Sequence, residues 1–406
     1  MRRNRIIADI PLTVWAVLAT LIGLLFIFDS GYARSIKLTG NPVPAEFTMQ
    51  IVTLLGCALC FVIVQFLPAG WIKRFALPMW LFTLITLGAV DIVGKSQNEA
   101  KRWLQVGPIQ VQPSEFAKLT LVLFLAAVFV NKKPWEPSRK RRDFAMWVDN
   151  VLTPQVKRWV PGILAMSGVI LVELGKDLGT AGVILAIILM MCIVGGVGKR
   201  TWLVLGSILF VLVPLLFLKQ PYRMERLSVH QHRWKAINVD DVGFQTTQVE
   251  RAMADGGLFG VGIGNGQVKH IIPATTTDFI LATIAEETGF VGVMILLGVL
   301  GALVWRLIQL ARRMSDPFAA LSLYGIAAWI GIQASVNVMM ANATLPAIGI
   351  PIPFVSSGGS SLLALWLSIA IAQRFVAAEA ARKAQEEVSA VGDNRGWNRR
   401  PHLSGA

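Results

Sequence analysis

Pro273-Ala-Thr-Thr-Thr-Asp-Phe-Ile-Leu-Ala-Thr-Ile-Ala-Glu-Glu-Thr-Gly-Phe-Val-Gly292 leads out of a long polar loop into an apolar run that continues to Leu310. The run 285–310 is long enough to cross a bilayer as a helix, which takes about 20 apolar residues. The stretch sets one acid, Asp278, at a loop-to-helix junction. Two more, Glu286 and Glu287, follow two turns later at the head of the span. Thr-Thr-Thr-Asp ahead of Phe-Ile-Leu is also what a helix N-cap looks like. Asp278 therefore carries two readings, a cap and a catalytic acid.

Outward from this stretch, nine more apolar runs repeat the pattern. The expected spans are 10–28, 47–66, 76–93, 116–130, 160–174, 180–197, 202–218, 285–310, 318–340 and 361–375. The chain of 406 residues is 54% hydrophobic and 15% charged, against about 25% charged in soluble proteins. These features exclude a soluble globular protein. A β-barrel is excluded too, because barrel strands alternate polar and apolar over about ten residues. The fold class predicted is an all-α polytopic membrane protein of ten transmembrane helices with one large extracytoplasmic loop.

The net charge of +14 does not point to nucleic acid. Its Lys and Arg cluster in short loops between spans, where they set topology and meet anionic headgroups. Alternate loops carry Arg2, Arg3 and Arg5; Lys73 and Arg74; Lys132, Lys133 and Arg139–Arg142; Lys199 and Arg200; Arg312 and Arg313; and Arg374, Arg382 and Lys383. An even number of spans with both termini cytoplasmic follows, and the charged start Met1–Arg5 reads as a lead into the first span, not a cleaved signal. Cys57, Cys60 and Cys192 lie inside spans and read as small apolar residues, not as a disulfide or metal site. Residues 1–380 form a single membrane domain, and the tail 381–406 is polar and expected to be disordered. The basic loop 131–159, with Trp135, Trp147 and Trp159, reads as an interfacial anchor that includes a short amphipathic helix at 144–152.

The polar motifs gather on the outside. The loop 219–284 is about 66 residues long and holds Trp234, Phe244, Leu258 and Phe259, so short helices at the membrane surface are expected there. Ser114 and Glu115 start the fourth span, and Lys118, three residues on, either pairs with Glu115 or serves a substrate. Arg102 and Trp103 suit an anionic headgroup at the interface. Asp177 sits in a tight turn as a cap or an active-site group. Gly260-Val-Gly-Ile-Gly-Asn-Gly266 lacks the strand and helix of a dinucleotide loop, but its N–H groups beside Lys269 could cradle a phosphate. Ser356-Ser-Gly-Gly359 follows three prolines and offers hydroxyls and N–H groups near a helix start.

Five of these motifs, in order, resemble the SEDS family, the RodA, FtsW and SpoVE group. They are Lys101-Arg-Trp with Gln112-Pro-Ser-Glu-Phe-Ala-Lys118; Asp177-Leu-Gly-Thr180; Gly256-Gly-Leu-Phe-Gly-Val-Gly262; Thr277-Asp-Phe-Ile with Ala285-Glu-Glu-Thr-Gly289; and Pro351-Ile-Pro-Phe-Val-Ser-Ser-Gly-Gly-Ser-Ser361. The resemblance implies an inverting peptidoglycan glycosyltransferase in the bacterial cytoplasmic membrane that polymerises lipid II onto a growing glycan chain. It implies a class B penicillin-binding protein as partner and Asp278 as the essential acid. Glu115, Asp177, Glu286 and Glu287 become supports, and Arg102, Trp103, Lys118, Lys269, Ser356, Ser357, Gly358 and Gly359 substrate contacts, with Arg223 a further cation. No cofactor is implied, and a divalent metal stays open without a visible ligand cluster. The chain departs from the family pattern at Ser357 (usually Tyr), Lys176 (usually Pro) and the Thr275-Thr276 pair (usually containing His). Gln245-Thr-Thr-Gln248 and Gly264-Asn resemble the division branch more than the elongation branch. A lipid II flippase and a non-catalytic scaffold are the alternatives.

Overall fold

The computed structural model describes residues 8–97, 100–107, 109–130, 153–199, 202–203, 205–207, 210, 221–235, 243–272 and 274–397. In chain order the elements are α1 (Ile10–Thr39), α2 (Ala45–Phe66), α3 (Ala69–Val93), β1 (Lys95–Gln97), β2 (Ala100–Val106), β3 (Ile109–Val111), α4 (Pro113–Val130), α5 (Thr153–Leu174), α6 (Leu178–Val194), α7 (Pro221–Gln231), α8 (Phe244–Asp255), α9 (Val268–Ile271), α10 (Ile280–Arg313), α11 (Pro317–Ala341) and α12 (Gly359–Trp397). Among the described residues seven helices, α1–α4 and α10–α12, are long and apolar enough to cross a membrane. α5 and α6 supply two shorter apolar segments. Nine of the ten expected spans thus coincide with helices; most of the tenth, 202–218, lies outside the described residues, as do residues 131–152 of the loop 131–159 expected to anchor at the membrane surface.

α4 is the hub. Its residues from Leu119 to Ala127 are buried on every side, enclosed by α3, α6, α11 and α12. Trp80 of α3 stacks on Phe124 at 6.0 Å and donates its indole N–H to Leu164 O of α5 at 3.0 Å. The outer faces of α1–α3 are apolar and exposed, as at Leu21, Leu55 and Phe82. That pattern suits a lipid solvent, in which the backbone must be satisfied within each helix.

Three departures from the expected outline have local causes. α1 runs to Thr39, well past residue 28, because Asp29 is neutralised by a partner and Gly40 at φ 69° provides the left-handed stop. α12 continues to Trp397, so 381–397 is helical, not disordered. The segment is rich in Ala, Glu, Lys and Arg, strong helix formers, and Arg382 reaches Glu386 and Glu379 along one face. The loop 94–115 holds a small antiparallel sheet in the order β1-β2-β3. Val106 opposes Ile109, and Gly107 at φ 62° supplies the left-handed residue that a two-residue hairpin needs.

The bundle has two polar ends. At one, Arg306 of α10 makes two hydrogen bonds to Asp9 ahead of α1, at 3.0 and 2.6 Å, and Gln373 of α12 bonds Asp9 O and Thr13. At the other, four loops converge. Gln112 N meets Ser360 Oγ at 3.0 Å, Arg102 meets Lys176 O at 2.6 Å and Ser357 N meets Thr276 O at 2.8 Å.

Candidate active site

Asp278 lies at this second end, in a run of turns just before α10. The N-cap of α10 is Phe279, which carries no side-chain cap. The capping reading of Asp278 is therefore corrected: the turns 274–279 close on Ala274 O, which accepts from both Thr277 N and Phe279 N, and leave the carboxylate outside the cap. The backbone around Asp278 is fixed from two sides. Asn337 of α11 donates to Asp278 O at 3.0 Å and to Ile350 O at 2.7 Å. Ser356 donates to Thr277 O at 2.6 Å. Among the described residues nothing donates to the carboxylate itself. A side chain at Gly349 would stand 3.4 Å from Asp278 Oδ2, so the glycine keeps that approach clear. Burial pushes the carboxyl up to about 6; the Arg102 guanidinium pulls against this and Asp177 adds to it.

β2 brings Arg102 and a half-buried Trp103 to the same end. Arg102 Nη2 donates to Lys176 O at 2.6 Å, and its Nε stands 3.8 Å from Asp177 Oδ2. The side chain stays about a third exposed, at 32%. Lys176 takes φ 59°, which turns its carbonyl toward the guanidinium. Asp177 caps α6 through Thr180 N at 3.1 Å and receives Gln112 Nε2 at 3.5 Å.

Lys118 and Lys269, expected as substrate contacts, are both committed internally. Lys118 is buried, with Nζ 2.7 and 2.8 Å from Glu115 and 2.9 Å from Gln333 Oε1, over the Trp329 ring. All three ammonium hydrogens have acceptors, which is how an intramembrane Lys is tolerated. Lys269 Nζ lies 2.7 Å from Asp29 and 2.6 Å from Glu287. Burial opposes its charge, yet the bonds to Asp29 and Glu287 raise its pKa.

The Gly260–Gly266 loop is also occupied. Its N–H groups hold the chain's own carboxylates: Gly264 N and Gly266 N donate to Glu287 at 3.1 Å, and Gln267 N and Val268 N donate to Glu286 at 2.8 and 3.0 Å. The phosphate-cradle reading is corrected accordingly: the N–H groups are taken up by the two glutamates. The Ser-Gly turn faces inward too. Ser356 is buried, Ser357 N is bonded to Thr276 O, and Gly358 N donates to Gln50 at 3.2 Å. Gly359 opens α12 with its Cα facing Thr53.

Sequence reading missed Asn337, Gln333, Gln50 and Asp29. The signal was present: Gln333 and Asn337 stand four apart on one face of an apolar span, and polar groups there need partners. For a divalent metal, no group of three His, Cys, Asp or Glu side chains converges among the described residues. Arg223 has no described side chain.

The chain shares this architecture with known proteins. Two proteins named "Probable peptidoglycan glycosyltransferase FtsW" are similar to it. The one from Coxiella burnetii is 33% identical over 89% of this chain and 95% of its own length, and that from Aliivibrio salmonicida 31% over 88% and 86%. A solved structure described as "Structural coordination of polymerization and crosslinking by a peptidoglycan synthase complex" superposes with TM-score 0.71 and 29% identity, covering 91% of this chain and 97% of that one. The rod shape determining protein RodA of Thermus thermophilus gives 0.64 and 28%, with the same coverage. The family model described as "Cell cycle protein" matches residues 10–380, and the chain belongs to that FtsW/RodA/SpoVE family.

Proposed function

We propose that this bacterial membrane protein is a peptidoglycan glycosyltransferase that polymerises lipid II, with Asp278 as its general base. The carrying observation is the state of Asp278: a carboxyl held from behind through its backbone, free of hydrogen bonds among the described residues and raised to about 6 by burial. A base works best with a pKa near the operating pH. The acids Glu115, Asp177, Glu286 and Glu287 all have partners.

In this mechanism Asp278 takes the proton of the acceptor sugar 4-hydroxyl on lipid II. The oxygen attacks the anomeric carbon of the growing chain, the bond to pyrophosphate breaks, and configuration inverts. Undecaprenyl pyrophosphate leaves with the electron pair. Arg102, partly exposed and close enough to act on the Asp278 charge, stabilises the leaving anion. Lys118 and Lys269 hold the scaffold instead. The site faces the extracytoplasmic side, both termini are cytoplasmic, and a class B penicillin-binding protein crosslinks the product. The residues 1–380 act as one membrane domain. A flippase would place free ionisable groups at mid-depth; here Lys118 is neutralised by Glu115 within the first two turns of α4.

The test is Asp278→Asn, purified with the partner and supplied with lipid II. Loss of glycan strands with the fold intact supports the reading. Polymerisation at the parent rate rejects it.

A further inference from the structure

The loop 258–263 is not explained by the site. Leu258 and Phe259 are 63% and 79% exposed, and Val261 and Ile263 are exposed as well. Large apolar side chains on a loop ordinarily turn inward, and a cluster left outside marks an interaction surface. This cluster is built. Gly257, Gly260, Gly262 and Gly264 all have positive φ, from 50° to 99°, so the chain reverses repeatedly and presents its side chains outward. The loop is also fixed to α10. Val261 N and Gly262 N donate to Glu286 O and Glu287 O at 3.0 Å, and Phe290 N and Val291 N donate to Gly257 O and Leu258 O at 2.9 and 3.1 Å.

Those four bonds set its depth. After the break at Gly289, α10 is apolar from Phe290 to Trp305, and its first charged residue is Arg306, which belongs to the polar end clamped to Asp9. These 16 residues span roughly 24 Å at 1.5 Å each, less than the roughly 30 Å of the hydrocarbon core, so the level of Phe290 lies no farther out than the edge of that core. The loop is bonded at Phe290 and Val291, the first residues of that length. Its apolar side chains continue without a charged residue into the outer face of α10, where Phe290, Val291, Met294 and Ile295 are exposed.

We propose that the loop 258–263 is a wedge inserted into the lipid monolayer at this end of the bundle, with Leu258, Phe259, Val261 and Ile263 in contact with acyl chains. The occupant is the bilayer, because the surface is continuous with the lipid-facing side of a span. The wedge would tie the Glu286–Glu287 junction, and with it the start of α10, to the membrane surface. It is independent of the catalytic reading of Asp278.

The test uses the full chain in phosphatidylglycerol/phosphatidylethanolamine liposomes, with Cys57, Cys60 and Cys192 replaced by Ala. A nitroxide is attached at Phe259→Cys, and in a second protein at Val261→Cys, which carries the test if the first fails to fold. Ile295→Cys is the lipid reference and Glu387→Cys the aqueous one. The expected result is more frequent collision with oxygen than with a water-soluble nickel chelate, as at 295 and opposite to 387. Preference for the chelate overturns the proposal. So does protection from both reagents, which would mean that a protein surface, a second copy or a partner, covers the loop.

Discussion

At Asp278 the backbone is held tightly while the carboxylate meets no hydrogen-bond donor among the described residues, which is the arrangement a base needs. Its raised pKa has two consequences of opposite sign. A base acts only when ionised, so turnover should rise with pH through about 6 and then level off. Asp278→Asn should lower turnover by about 10²–10⁴-fold. The fold, by contrast, favours the neutral form. Between the unfolded value near 3.8 and about 6 the native state binds the extra proton, so this group's contribution to stability falls as pH rises through that window. The Asn variant should therefore melt at the parent temperature or higher at pH 8. A clear drop in melting temperature would assign Asp278 a structural role. Lys176 gives a second residue-scale expectation. Its φ of 59° costs about 1–3 kcal/mol for a non-glycine residue. Lys176→Gly should raise the melting temperature. Lys176→Pro cannot adopt that φ and should displace the carbonyl that anchors Arg102, lowering both stability and turnover.

Among the elements, the junction of the Gly260–Gly266 loop with α10 is the most constrained. Glu287 holds Lys269 and two backbone N–H groups, while itself fully buried. Glu287→Ala leaves a buried ammonium with Asp29 alone and orphans both donors. Breaking a buried pair in this way costs about 3–5 kcal/mol, so thermal unfolding in detergent should show a loss far larger than that of Glu387→Ala on the exposed helix end. The sequence made part of this legible. Glu286 and Glu287 were readable as supports only through the family resemblance, which singled out Asp278 instead. The glycine loop was misread because its N–H groups looked free, and their acceptors lie about twenty residues away in sequence, beyond any local pattern. The β2–β3 hairpin was readable in principle from Gly107-Pro108 between alternating residues, but strands this short give a weak signal inside a loop.

For the whole molecule, apolar run length made the spans legible, and motif order made the family legible, because both are properties of the chain read once from end to end. Which spans touch was not legible. Lys118 finds Gln333 across 215 positions, and Gln50 reaches Ser356 across 306. Such pairs depend on packing that no window of sequence contains. They also divide the molecule into two ends with different duties, and that division can be measured. Arg306→Ala removes two hydrogen bonds to Asp9, whose carboxyl stays below its usual range because those bonds and the Leu12 N–H outweigh burial. Hydrogen bonds to charged groups are worth about 1.5–3 kcal/mol, so the variant should melt earlier. In the parent this stabilisation is present above the unfolded pKa of about 3.8 and lost as pH falls below it, so acid should narrow the gap between the two proteins. Turnover well below the melting temperature should not change, since the clamp is at the far end from Asp278. Ser356→Ala should do the reverse. It frees Thr277 O and Ile352 N next to Asp278, so polymerisation of lipid II should slow even where melting shifts little. Equal loss of turnover in both variants, with both proteins still folded, would show that the ends do not act separately.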